Sequence, residues 1–186
     1  MKKEKILNII FIICVVIGII FIGSRIFMKT TGTGCPNPDL QGFCIEGKTL
    51  TGYVGTKRNI TIPDNVEVIG KGAFSRENLR GLYLEKVIVP GTVKKIEDYG
   101  FADSNTNVIL IEEGVKEIGN YAFHNIDLFE IWFPKSIESM GGRVLDCEEI
   151  ACSNTLKIHV YKGTYAEHAV KESNPYYKKV KYIYEK

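Results

Sequence analysis

A thirteen-residue phrase that returns four times constrains this chain more than any other feature. From Ile62 it reads IPDNVEVIGKGAF, from Val89 VPGTVKKIEDYGF, from Ile111 IEEGVKEIGNYAF and from Phe133 FPKSIESMGGRVL. Five columns stay in step, among them Val66/Val93/Val115/Ile137, Ile69/Ile96/Ile118/Met140 and Phe74/Phe101/Phe123/Leu145. Successive copies are offset by 27, 22 and 22 residues. A unit this short cannot enclose a core of its own. It buries its apolar face only against its neighbours, so the copies must stack as a solenoid.

Each unit opens with a short β-branched run, such as Asn59-Ile60-Thr61-Ile62. Side chains alternate along a strand with period 2. One face therefore collects Ile60, Val87, Ile109 and Ile131, together with Ile62, Val89, Ile111 and Phe133, as core columns. Pro63, Pro90 and Pro134 end the strands, because proline has no N–H for the ladder. Gly70, Gly119 and Gly141 permit a tight turn, because glycine tolerates positive φ; Glu97 breaks the column, so the turn does not strictly require glycine. The Ala73/Gly100/Ala122/Val144 column keeps backbones close, and the phenylalanine column forms a stacked spine. The segment between them has room for no more than a short helical turn.

The pattern IP-x-x-V-x-x-I-G-x-x-A-F resembles the BspA-type (Treponema-type) leucine-rich repeats of bacterial surface proteins. The resemblance covers about residues 49–170. Leu50-Thr51-Gly52-Tyr53 is similar to that family's opening segment, and IHVYKGTYAEHAV to its closing unit. Glu112 in the proline column and five extra residues in the first and fourth units depart from the pattern. The resemblance implies a right-handed parallel solenoid, surface display and binding of protein or matrix. It implies no catalytic residues and no fixed ligand motif. The expected fold class is an α/β-type repeat solenoid, with short parallel strands and short convex turns or helices, preceded by a transmembrane helix. The expected organisation is a cytoplasmic N-terminus (1–5), a transmembrane signal anchor (6–23), a stalk (24–48), the repeat domain (49–172) and a capping segment (173–186).

The anchor is read from residues 6–23, which carry no charge. As a helix they would span about 27 Å, close to a bilayer core of about 30 Å. The run is longer than the apolar region of a cleaved signal, and bulky Phe21 stands where a small residue precedes a cut. Removal as a signal, which would leave a secreted protein, is the alternative. Lys2, Lys3 and Lys5 precede the run, and Arg25 and Lys29 follow it. The positive-inside tendency then places the repeats outside the cytoplasm. There the local pairs Cys35/Cys44 and Cys147/Cys152 are disulfide candidates, with free thiols as the other reading. Neither pair has Cys-x-x-Cys spacing and the three histidines are scattered, so no metal site is expected.

Period 2 also defines an open face of the sheet. One row on it is Thr61, Ile88, Leu110, Trp132 and His159; the other is Asn59, Lys86, Val108, Glu130 and Lys157. Trp132 is the only tryptophan, and an aromatic anchor in an apolar patch is typical of a binding hot spot. Ile88, Leu110, Trp132 and His159 are the expected central contacts for a protein or glycan partner. Lys86, Val108, Glu130 and Lys157 flank them. A second copy of the chain could also cover this stripe. The net charge of +2 is too small to indicate nucleic acid. The chain contains no HExxH, GxSxG or phosphate-cradling glycine loop, so neither an enzyme nor a cofactor is expected. A structural subunit or spacer of a membrane or envelope complex is the alternative function. The tyrosine- and lysine-rich end, NPYYKKVKYIYEK, reads as a terminal strand with Val180, Tyr182 and Tyr184 on one face.

Overall fold

The computed structural model describes residues 35–146, 155–173 and 179–186. The apolar run 6–23 and Cys147 and Cys152 lie outside the described residues. Among those described, no helix is long and apolar enough to cross a membrane.

The repeats form a β-solenoid with two sheets. The first contains the β-branched runs: β3 (Asn59–Thr61), β5 (Leu84–Val89), β7 (Thr106–Ile111), β9 (Glu130–Trp132), β11 (Thr155–Tyr161) and β12 (Lys179–Glu185), paired in that order. All pairs are parallel, and the register sets Ile60, Val87, Ile109, Ile131 and Ile158 side by side. These five are buried, with Ile60 the most exposed at 6 %. The second sheet runs through the Ile69 column. Its strands are β1 (Phe43–Glu46), β2 (Thr49–Tyr53), β4 (Val68–Ile69), β6 (Lys95–Ile96), β8 (Glu117–Ile118) and β10 (Ser139–Met140).

This second sheet corrects the expected α/β character. The segment between the glycine and phenylalanine columns makes short turns, as at residues 71–74, and a two-residue strand precedes each of them. Glu97 N–H donates to Ile69 O and Gly119 N–H to Ile96 O, at 2.9 and 2.8 Å. Backbone groups that a helix would satisfy within one rung are satisfied here between rungs. The only helix among the described residues is α1 (Tyr165–Glu172), in the closing unit. Its N-cap is Thr164, whose Oγ1 accepts from Glu167 N–H, while the Glu167 carboxylate reaches back to accept from the N–H of Gly163, one residue before the cap.

The glycine column also differs from its sequence reading. Gly70, Gly119 and Gly141 do not have positive φ; the left-handed residues lie two positions further on, at Gly72, Tyr99, Tyr121 and Arg143. The column is held instead by close approach. A Cβ on Gly119 would sit 2.4 Å from Asp98 N, and one on Gly141 2.4 Å from Asn120 N. The turn N–H groups there are collected by a side-chain ladder. Asp98 Oδ1 accepts from Asn120 N–H at 2.7 Å, and Asn120 Oδ1 accepts from Gly142 N–H at 2.9 Å.

Phe74 and Phe101 stack at 4.5 Å, and Phe101 and Phe123 follow at 5.5 Å, forming a spine through the core. Both ends of the core are closed. At the start, part of the expected stalk is folded: β1 pairs antiparallel with β2, Phe43 is 2 % exposed, and Cys35 is disulfide-bonded to Cys44. Phe43 lies against Tyr53, with ring centroids 4.9 Å apart, so these residues shield the first rung. At the far end, β12 extends the first sheet by one strand, and Val180 and Tyr182 pack on the core.

Candidate interaction surface

The open face of the first sheet is set by the register of its strands. Ile88 pairs with Thr61 and Leu110, Leu110 with Trp132, Trp132 with His159, and His159 with Ile183. The second row is Asn59, Lys86, Val108, Glu130, Lys157 and Lys181. Ile88, Val108, Leu110 and Trp132 are half-buried, and Lys86 and Lys157 are exposed. The three middle strands thus present an apolar stripe with lysines along its flank.

His159 is not the open contact expected from sequence. It is 8 % exposed. Its Nδ1 is 2.5 Å from Glu185 Oε1 and its Nε2 is 2.8 Å from Glu130 Oε1. The Trp132 indole lies flat on the ring, centroids 4.1 Å apart and planes 16° apart. Its edges are taken by carboxylates from the two neighbouring strands, and one face by the indole. His159 therefore flanks Trp132 from the next strand, on the same face of the sheet. Glu130 is engaged as well, since Lys157 Nζ lies 3.6 Å from the same oxygen that faces His159. Of the eight expected contacts, Ile88, Leu110, Trp132, Val108, Lys86 and Lys157 remain available on the surface.

Three residues escaped the sequence reading. Phe129 is 39 % exposed although alternation from Ile131 points it inward. The same break appears two strands earlier in the sheet, where Glu85 N–H and Lys86 N–H both donate to Arg58 O and two successive residues face out. Two residues facing one across a pair is the mark of a bulge, which a period-2 rule does not detect. Tyr83, just before β5, is 36 % exposed. Burial, then the Asp127 and Glu85 carboxylates, raise its phenol above the ordinary value. Ile183 continues the apolar row beyond His159, and the alternation of Val180, Tyr182 and Tyr184 already implied its position.

Among the described residues, no three His, Cys, Asp or Glu side chains converge to hold a metal ion. The cleft between α1 and the last rung, about 330 Å³, is lined by Arg143, Tyr165 and Glu172, away from the open face. What the surface offers is a flat, partly apolar patch on a rigid sheet.

A model of the BspA type leucine rich repeat region matches residues 53–161, in six copies. Comparison with curated proteins and with solved structures gave no match. Four in-register copies of the phrase, strands paired in that register and the family match all agree. The chain belongs to the BspA-type leucine-rich repeat family, whose repeats generally mediate protein interactions.

Proposed function

We propose that this chain is held at a membrane by residues 6–23 and binds a protein partner outside the cytoplasm through the open face of its first sheet. The observation carrying this reading is the stripe of Ile88, Leu110 and Trp132. They stand side by side on adjacent strands, half-exposed, on the side of the sheet opposite the core. Apolar side chains contiguous on a rigid face favour a protein surface over a soluble small molecule, which needs a concave pocket. The Cys35–Cys44 disulfide supports the extracytoplasmic placement, since such bonds persist in oxidising compartments.

Size sets the strength of binding. Six strands at about 4.8 Å span about 24 Å, so with a width near 15 Å the face offers only ~350 Å². A stable interface takes about 800 Å² from each partner. One copy should bind weakly, and confinement to a membrane would raise the effective concentration. The test compares cross-linked complexes of the full chain and of Trp132→Ala in native membranes. Partners recovered with the native chain and lost with a folded Trp132→Ala protein support the reading. An identical set of partners from both would overturn it.

A further inference from the structure

The strand β12 leaves one edge unused. It lies at the end of the first sheet and pairs only with β11, and among the described residues no strand covers its other side. This edge is seven residues long, about 23 Å at ~3.3 Å per residue. A bare edge of that length is a template for another strand. Its inward side also carries Tyr184, 48 % exposed beside the core-packed Tyr182.

The sequence of the edge is complementary to itself. Lys179, Lys181, Ile183 and Glu185 face outward with the open row, and Val180, Tyr182 and Tyr184 face inward. When two such strands run antiparallel about a two-fold axis at Tyr182, Lys179 stands opposite Glu185 of the other copy. Val180 then stands opposite Tyr184, and Lys181 opposite Ile183. Each strand gains two opposite-charge pairs on the outer face and two apolar pairs on the inner face, both favourable directly across a ladder. The inner pairs cover the exposed Tyr184 ring. Head-to-tail stacking on β3 is the poorer arrangement. β3 offers three residues, and such stacking does not close but propagates into a filament.

We propose that β12 is a dimerisation edge, and that the partner seated on it is a second copy of this chain, antiparallel and centred on Tyr182. The two six-stranded sheets then become one of twelve strands. The rows from Ile88 through Ile183 meet their two-fold copies, and the open face doubles in length. That doubling brings the face close to the area a stable interface needs. The role of the enlarged face rests on the function proposed above; the pairing of edges does not.

The experiment measures the mass of the full chain in dodecyl maltoside by sedimentation equilibrium. A dimer is expected, with its dissociation constant raised at least tenfold by Lys179→Glu and brought back by adding Glu185→Lys. Lys179 is exposed and outside the core, so the single variant stays folded, which circular dichroism checks. Register is read separately: Lys181→Cys mixed with Ile183→Cys should cross-link, and Lys181→Cys alone should not. A monomer at all concentrations overturns the proposal. So does a dimer indifferent to Lys179→Glu, or a different protein seated on the edge of a monomeric chain. Trp132→Ala separates the two readings, because it should leave the dimer intact while removing partner capture.

Discussion

The Trp132 indole and the His159 imidazole lie face to face, 4.1 Å between centroids, on adjacent strands of the open sheet. His159 is held at both ring nitrogens by Glu130 and Glu185, so the indole rests on a fixed platform. An aromatic anchor held in one orientation loses little conformational entropy when a partner covers it.

Replacing Trp132 by alanine should therefore affect binding more than folding. Affinity for a partner is expected to drop by tenfold or more, as for a hot-spot residue, with a change in unfolding free energy below about 2 kcal/mol. Phe101→Ala is the contrast. It opens a cavity in the spine between Phe74 and Phe123 and should cost about 3–5 kcal/mol. Urea denaturation of both variants checks the pair, and a Trp132→Ala loss as large as that of Phe101→Ala would move the indole into the core.

Two glycines two rungs apart should respond differently to alanine. At Gly119 the added Cβ meets the Asp98 backbone 2.4 Å away, and separating the rungs should cost about 1–3 kcal/mol or more. At Gly72 nothing lies within 4 Å and φ is +66°, so only the left-handed conformation is penalised, by about 1–2 kcal/mol. The fold already bears that penalty at Tyr99, Tyr121 and Arg143. Thermal melts should place Gly119→Ala below Gly72→Ala.

Acid should loosen the closing unit. The Glu167 carboxylate is lowered from 4.5 to about 2, chiefly by its hydrogen bond from Lys171, then by Gly163 N–H. A depressed folded pKa contributes stability that is complete above the unfolded value. That contribution fades as pH falls from 4.5 towards 2. Lys171 is raised in turn by the same contact, so its share persists below its unfolded pKa and is lost only in strong alkali. The native melting temperature should fall between pH 4.5 and 2, and Glu167→Gln should remove that part of the slope.

Reduction should weaken the first rung. Cys35 and Cys44 close a loop of sequence separation 9, and the chain-entropy model assigns such a loop about 2–3 kcal/mol. Cys35→Ser/Cys44→Ser is expected to lose that amount in urea denaturation. Hydrogen exchange should rise first in β1 and β2, because these strands are the side of the core the bond secures.

The repeated phrase by itself determined the stacking, the period, the inward columns and the rows of the open face. Each follows from alternation and from equivalent residues recurring at a fixed offset. Relations between neighbouring rungs were decided only in three dimensions. The second sheet forms because backbone groups of Glu97 and Gly119 find partners in the previous rung, not within their own. Gly119 is glycine because another rung's backbone lies against it, while the positive φ falls on Tyr121. Phe129 turns outward against the alternation of its strand, and His159 sinks between carboxylates from strands 29 residues before it and 26 after it in the chain. Local pattern carries the direction a side chain points along one strand. Which groups meet it from the next strand depends on distances that only the stacked rungs create.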